Sequence, residues 1–436
     1  MNIQEKIKKI AEELGFDLVG VADVVDVVTG YEQLAISEKL YDWVKKGYHA
    51  DMKWFADSVE KRKDILKVMP GAKSVICVAM NYYNNTNIRM STNDTNNTNK
   101  ENMIGKIARY AHGRDYHKIF DKKLKLFSQK LKEIFPEGEF KYYSDTGPVL
   151  ERAWAQRAGL GFIGKNTNLI TKYGSWVLLG EIITNADFSM DKVGIFTKSN
   201  FSNNNFIQEF PNLKPQISKQ IPNFKFKNFK QFIDFWKLKN WKLFGNWLFG
   251  NWKLNKLDFN KINRVNTCDG CERCIKSCPT GALCAPYMVD ARKCISYLTI
   301  EYKGEIPMEL REKMGNRIFG CDACQEVCPF NIGRSSFAKA TADKAESELT
   351  EKMIAGKEID LREILSIKTD EEFLRKFAGS PVMRAKRKGL IRNACIVAGN
   401  SGDGSLLPYL EKCLKDKELI IVETARWAIG KLELGV

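Results

Sequence analysis

Thr267–Pro279, TCDGCERCIKSCP, and Gly320–Asn331, GCDACQEVCPFN, decide how this chain is read. The first run holds Cys268, Cys271, Cys274 and Cys278, with Pro279 next. The second holds Cys321, Cys324 and Cys328 followed by Pro329, and Cys294 stands between the two. This is the pattern of a bacterial two-cluster ferredoxin, in which the fourth cysteine of a run ligates the other cluster. Three thiolates reach a cubane from one tight loop, and the fourth must arrive from another direction. Crossing the fourth ligands assigns Cys268, Cys271, Cys274 and Cys328 to one 4Fe–4S cluster and Cys278, Cys294, Cys321 and Cys324 to the other. Structural zinc also favours paired cysteines. It needs neither three at successive three-residue steps nor a proline after the last. Cys77, Cys284, Cys395 and Cys413 lie outside the pattern and read as structural.

Composition sets the outer limits. At 436 residues the chain exceeds the size at which one core stops growing, so two or three domains are expected. A hydrophobic fraction of 44% excludes global disorder. No apolar stretch reaches the ~18 residues that span a bilayer. The charged, amphipathic N-terminus, MNIQEKIKKIAEELGFD, does not read as a secretion signal, so a cytoplasmic location without a membrane partner is expected. Twelve cysteines then point to metal or redox chemistry, and three histidines (His49, His112, His117) leave little scope for His-rich metal sites. The net charge of +16 is concentrated: Phe201–Lys261 holds 11 Lys against three acids, or +8, Arg384–Arg392 (RAKRKGLIR) holds +5, and the rest sums to +3.

Along the chain, residues 1–198 alternate helical and strand patterns. Ile3–Leu14 and Asp115–Phe135 have a helical period, Asp17–Val21 is short and apolar, and Lys73–Met80 and Ser175–Ile183 read as buried strands. An α/β domain follows from that alternation. Within it Asn84–Asn99, of whose 16 residues 11 are Asn or Thr, reads as a disordered loop. Residues 199–263 form an insertion with 15 of the chain's 48 aromatics, suited to stacking on unpaired bases, to a surface helix or to a membrane-surface patch. A ferredoxin domain at 264–335 and a helical linker at 336–379 come next. In 380–436, RNACIVAG (Arg392–Gly399) recurs as ETARWAIG (Glu423–Gly430), a spacing of 31 residues that suggests HEAT-like helical hairpins. Asp145, just ahead of the helix expected at Val149–Ala158, reads on its own as a helix cap.

Taken together, several stretches resemble the epoxyqueuosine reductases of tRNA queuosine biosynthesis. They are RYAHGRDYH (Arg109–His117), DTGPVLERAWAQRAGLGFIGKNT (Asp145–Thr167), GSWVLLGEI (Gly174–Ile182), CISYLTIE (Cys294–Glu301), GCDACQEVCPFN, RNACIVAGN and ETARWAIGKL. The resemblance covers most of 1–192 and 266–436. It implies an oxidoreductase that holds cobalamin beside two 4Fe–4S clusters and reduces the epoxide of epoxyqueuosine at the tRNA wobble position to queuosine. It also implies a cobalamin-binding α/β domain of flavin-reductase-like fold, a ferredoxin domain and a HEAT-like helical domain, working as a monomer with a low-potential electron donor.

By its place in the family motif, Asp145 is expected to protonate the departing oxygen, for which burial should raise its pKa. Arg62, Tyr110, Lys165, Asn166, Ser175, Ser296, Tyr297 and Arg317 are the expected cobalamin contacts. Arg384, Lys386, Arg387, Lys388 and Arg392 are expected on tRNA phosphates, and His117 is expected to be structural or to act from behind the site, not to bind cobalt. A cobalamin reductase of a small molecule, akin to reductive dehalogenases, would not need that basic run. A ferredoxin-type electron carrier would leave the N-terminal motifs unexplained. The insertion at Phe201–Lys261 departs from the family pattern, either as a low-complexity expansion or as a change to the tRNA face.

Overall fold

Ser74–Asn81 is buried at seven of its eight positions, so both of its faces must be covered. In the computed structural model, which describes residues 2–24, 31–83, 103–188, 268, 270–331, 349 and 353–434, this stretch is strand β2. The segments Asn84–Asn99 and Phe201–Lys261 lie outside the described residues. Residues 1–195 and 272–436 make up one compact unit; of the other, 196–271, Cys268, Gly270 and Cys271 are described.

Strand β1 (Leu18–Asp23) and β7 (Val177–Thr184) flank β2, and β4 (Phe140–Tyr143) lies beyond β7. All three pairings are antiparallel. The alternation along the sequence therefore produces a mixed α/β layer without a parallel sheet, because sequence pattern fixes a strand's two faces and not its partner. Ile76, Val78 and Met80 pack with residues of the helices Ile3–Glu13 and Tyr116–Ile134. Val75, Cys77 and Ala79 face Ile65, Met69, Trp154 and Ala155 on the other side. Each large side chain so buried contributes about 1.5–3 kcal/mol. Asn2 and Asp115 cap the two helices, accepting from Glu5 N at 2.8 Å and His117 N at 3.1 Å.

A second sheet joins distant parts of the chain. Its centre is β3 (Ile104–Ile107), paired parallel with β8 (Arg317–Phe319) of the cysteine-rich region and antiparallel with β9 (Glu358–Asp360). The 336–379 stretch, expected to be helical, thus supplies a strand as well as the helices Leu361–Leu365 and Asp370–Phe377. A short hairpin of β5 (Gly161–Ile163) and β6 (Leu169–Thr171) completes the strands among the described residues.

The C-terminal region is helical as expected, with Lys386–Ser401 and Leu419–Leu434 as its long members. Gly399 lets them close: a Cβ there would stand 3.0 Å from Ala428 Cα. Lys386–Ser401 is nevertheless not the solvated basic face its charges suggested. Arg387 and Arg392 are both 1% exposed. Arg387 forms a fork with Asp416 at 2.7 and 2.8 Å. Arg392 donates to the carbonyls of Leu298, Tyr302 and Gly304 at 2.6–2.9 Å. Neither is available to a phosphate. The exposed members of the run are Arg384, Lys386 and Lys388, and of these Arg384 pairs with Glu301 and Lys388 with Glu418.

Arg392→Ala would strand three carbonyls that the guanidinium now satisfies. It should lower unfolding stability by about 3–5 kcal/mol, read from the denaturant midpoint under anaerobic conditions. Lys386→Ala should leave that midpoint within about 0.5 kcal/mol of wild type.

Candidate active site and cluster-binding loops

Short helices carry the cysteine loops: Arg273–Lys276 around Cys274 and Ala323–Glu326 around Cys324. None of the twelve cysteines is in a disulfide. Cys294 feels Cys278, Cys321 feels Cys294, and Cys324 feels Cys294, Cys321 and Cys274. Burial pushes Cys321 up to about 11 and raises Cys294 and Cys324 as well. Thiols so placed keep their protons until a cation replaces them. The backbone N–H groups of Ser296 and Tyr297 bond to the Cys294 sulfur, and that of Ala323 to Cys321. Such donors tune cluster thiolates, which suits Cys294 and Cys321 to an iron–sulfur cluster. No group of three or more Cys, His, Asp or Glu that could hold a single metal ion occurs among the described residues. In the other unit Cys271 N–H donates to Cys268 O at 3.0 Å, which closes a tight turn.

The α/β region grips the second cysteine loop. Ser175 N–H donates to Asn331 Oδ1 at 2.8 Å, Asn331 Nδ2 returns a bond to Ser175 Oγ at 2.8 Å, and Ser175 Oγ donates to Gln325 at 2.8 Å. Gly174, at φ +78°, admits this approach, since a Cβ there would meet Asn331 Oδ1 at 2.2 Å. Asn166 donates to Cys324 O at 3.4 Å. Asn166 and Ser175 are both buried, so their side chains hold the loop before any ligand. Lys165 O accepts from Tyr287 N at 3.0 Å, the Tyr297 hydroxyl accepts from Asp51 N at 3.0 Å, and Arg317 donates to Met314 O at 3.3 Å while its charge reaches Cys321. Arg62 is buried, donates to Val149 O at 2.9 Å and lies over the Phe55 ring. Tyr110 feels the charges of both Asp145 and Asp322, the neighbour of Cys321, and so lies on the way from the acid to the cysteine loop.

Asp145 follows the end of β4 and is held at φ +62°, a left-handed conformation rare for a residue with a side chain. Its Oδ2 accepts from the Tyr116 hydroxyl at 2.8 Å and from His117 Nε2 at 3.1 Å. His117 Nδ1 in turn lies 2.8 Å from Asp115 Oδ1, and the Tyr116 and His117 rings stack with centroids 4.0 Å apart. The Asp145 side chain is 58% exposed. Surrounding protein raises its pKa, but the bonds from His117 and Tyr116 outweigh this and hold the carboxyl below the usual carboxylate range. The expected upward shift of Asp145 is therefore corrected: it rests as a carboxylate. Burial lowers His117, but the bonds to Asp115 and Asp145 push it up to about 9, so His117 holds the proton at neutral pH. Sequence reasoning missed Asp115 and Tyr116. It also missed Glu151, whose carboxylate accepts the Asp145 N–H.

Two family models match the chain: a 4Fe–4S double cluster binding domain over residues 267–331, and epoxyqueuosine reductase QueG, DUF1730, over residues 62–146. An epoxyqueuosine reductase of Gloeobacter violaceus is 34% identical over 404 residues, covering 91% of this chain and 96% of the relative. The chain belongs to the epoxyqueuosine reductase family. Among solved structures, an epoxyqueuosine reductase with a tRNA-Tyr epoxyqueuosine-modified stem loop is 28% identical, with a TM-score of 0.67 over 99% of this chain and 90% of that one. An epoxyqueuosine reductase from Bacillus subtilis with its catalytic loop swung out of the active site is 27% identical, with a TM-score of 0.66 over the same shares.

The raised His117 makes stability depend on pH with a definite sign. The stabilisation is complete below about 6.5, the unfolded value, and is lost as pH rises through about 9. Thermal unfolding should show a decline over that window that His117→Gln makes shallower.

Proposed function

We propose that this chain reduces the epoxide of epoxyqueuosine at the wobble position of a tRNA to queuosine, with electrons delivered through two 4Fe–4S clusters and Asp145 as the proton donor. The observation that carries the reading is the acid site: an accessible carboxylate, bonded to Tyr116 and His117, linked through Tyr110 toward the cysteine loop of an iron–sulfur relay. Opening an epoxide by two electrons generates an alkoxide and needs a positioned acid. As negative charge grows on the oxygen, a proton on the His117–Asp145 pair is drawn to it through Asp145, and Tyr116 holds the carboxylate in line. Asp115 keeps the His117 ring oriented and replaces no proton itself. Deoxygenation consumes two electrons and two protons and releases water.

Cobalamin belongs to this reading. Tyr110, Lys165, Ser296 and Arg317 would hold it, together with Arg109, whose Nε is buried without a partner among the described residues. Bound there, it supplies a strongly reducing cobalt centre. The α/β part, 1–198, then serves as a cobalamin-binding domain of flavin-reductase-like fold, 264–335 as the ferredoxin domain and 380–436 as a HEAT-like domain that meets the tRNA. The enzyme acts in the cytoplasm as a monomer, fed by a low-potential donor. Among the described residues no helix is long and apolar enough to cross a membrane.

Two experiments test this. After anaerobic reconstitution with iron, sulfide and cobalamin, wild type given a low-potential reductant should convert epoxyqueuosine in tRNA to queuosine, followed by nucleoside mass spectrometry. Asp145→Asn should keep the cluster and corrinoid spectra and lose at least about 100-fold in rate. Separately, replacing Arg384, Lys386 and Lys388 should flatten the salt dependence of tRNA affinity by roughly 0.7–0.9 log units per log unit of salt for each phosphate contact removed. An unchanged slope would move the RNA to another surface.

A further inference from the structure

Glu181 is an acid in the middle of β7, 0% exposed, with Cys77 of β2 and Tyr143 of β4 as its cross-strand neighbours. Neither of its carboxyl oxygens has a donor among the described residues. Ionised, it would be an uncompensated buried charge. The group it meets is a second acid, Glu151, from the first turn of the helix Glu151–Arg157. Two carboxylates can only accept, so their contact is a hydrogen bond only when one of them carries a proton. Burial, reinforced by the neighbouring acids, raises Glu181 well above the usual range and pushes Glu151 up to about 7. On its other side Glu151 accepts the backbone N–H of Asp145, the residue held at φ +62°. A non-glycine residue stays in that conformation only when its surroundings hold it there.

We propose that Glu151 and Glu181 share one proton and together form a positioning device, latching the Asp145 backbone so that its carboxyl faces Tyr116 and His117. The proposal rests on Asp145 being the proton donor. The groups around the pair set how it titrates. Arg62 and Arg152 favour a negative charge on Glu151, Asp145 opposes a second one, and Cys77, Tyr143 and Tyr116 complete the surroundings. Glu151 gives up its proton near 7 while Glu181, raised further, keeps its own, so above about pH 7 a single proton joins the two carboxyls. Below it Glu151 is protonated as well, and the Asp145 N–H keeps only a neutral oxygen as its anchor. A family member exists with its catalytic loop out of the active site, so the latch has an alternative to act against.

The test follows single-turnover rate against pH in reconstituted enzyme, with cluster absorbance confirming that each variant is folded. Wild type should lose rate as pH falls through about 7. Glu181→Leu takes away the proton that steadies ionised Glu151, so this acid limb should move up, whereas Glu181→Gln, whose amide still donates, should leave it near 7. Glu151→Ala removes the acceptor and should cut the rate at least about tenfold with tRNA Kd within about threefold. Glu151→Gln, whose carbonyl still accepts, should restore most of it. A readout without turnover is difference infrared spectroscopy between about pH 6 and pH 9: wild type should lose one protonated-carboxyl band with a midpoint near 7 and keep a second above it, which Glu181→Gln lacks. An acid limb that stays in place in Glu181→Leu, or a wild type without the second band above about pH 7, overturns the shared proton. Failure of wild type to make queuosine is a different result: it removes the epoxide reading and leaves the infrared band to decide the pair.

Discussion

Five backbone carbonyls of the cysteine-rich region depend on two adjacent side chains from outside it. Arg392 satisfies Leu298, Tyr302 and Gly304, and Asn393 donates to Thr299 and Ile318 at 2.9 Å. The dependence is physical. The helices between residues 273 and 326 run to six residues at most, so many of their carbonyls find no intrahelical partner. A region built mainly of turns around thiols cannot bury enough apolar surface to hold itself. The helical tail on one side and Asn166, Ser175 and Asn331 on the other supply the missing partners. Cys278, Cys294, Cys321 and Cys324 are therefore carried by the same unit that holds Asp145.

This arrangement explains which parts of the chain were legible. Cysteine spacing is dictated by ligand geometry along the chain, so the two-cluster pattern could be read directly. β2 and β7 were legible because their residues are apolar on both faces. Their antiparallel pairing was not, since the partner strand is chosen by contacts far apart in sequence. Arg387 and Arg392 were misread for a similar reason. Local charge density looks the same whether a guanidinium faces water or a set of carbonyls. A hint did exist: Arg392 adjoins an unbroken run, Asn393–Gly399, of small and apolar residues, which a solvated helix face does not carry.

Glu181 gave a clearer signal. An acid inside SWVLLGEII, between residues that must all be covered, is either paired or neutral. Burial, reinforced by the charge of Glu151, raises its pKa and favours the second case, and sequence alone does not bring Glu151 near it. The headline charge is revised as well. Of the five cations in Arg384–Arg392, two are buried, and two of the other three sit beside Glu301 and Glu418. The field that this surface offers to an RNA is weaker than a count of its lysines and arginines suggests.

The acid site also reconciles the role proposed for Asp145 as proton donor with its depressed pKa. An isolated, raised aspartic acid would carry its proton at all times and give it up reluctantly. Asp145 instead rests ionised while His117, held near 9, stores the proton 3.1 Å away. Until the substrate oxygen gains charge, the His117–Asp145 ion pair is the lower state, and nothing is released to water. In the proposed reaction an alkoxide, more basic than both partners, would draw the proton outward through the carboxylate. Such a relay works only if Asp145 keeps its angle to His117 within hydrogen-bond tolerance. That requirement gives a strained backbone at residue 145 a physical purpose: the conformation that aims the carboxylate is not one the chain would choose unaided, so a neighbour must hold it.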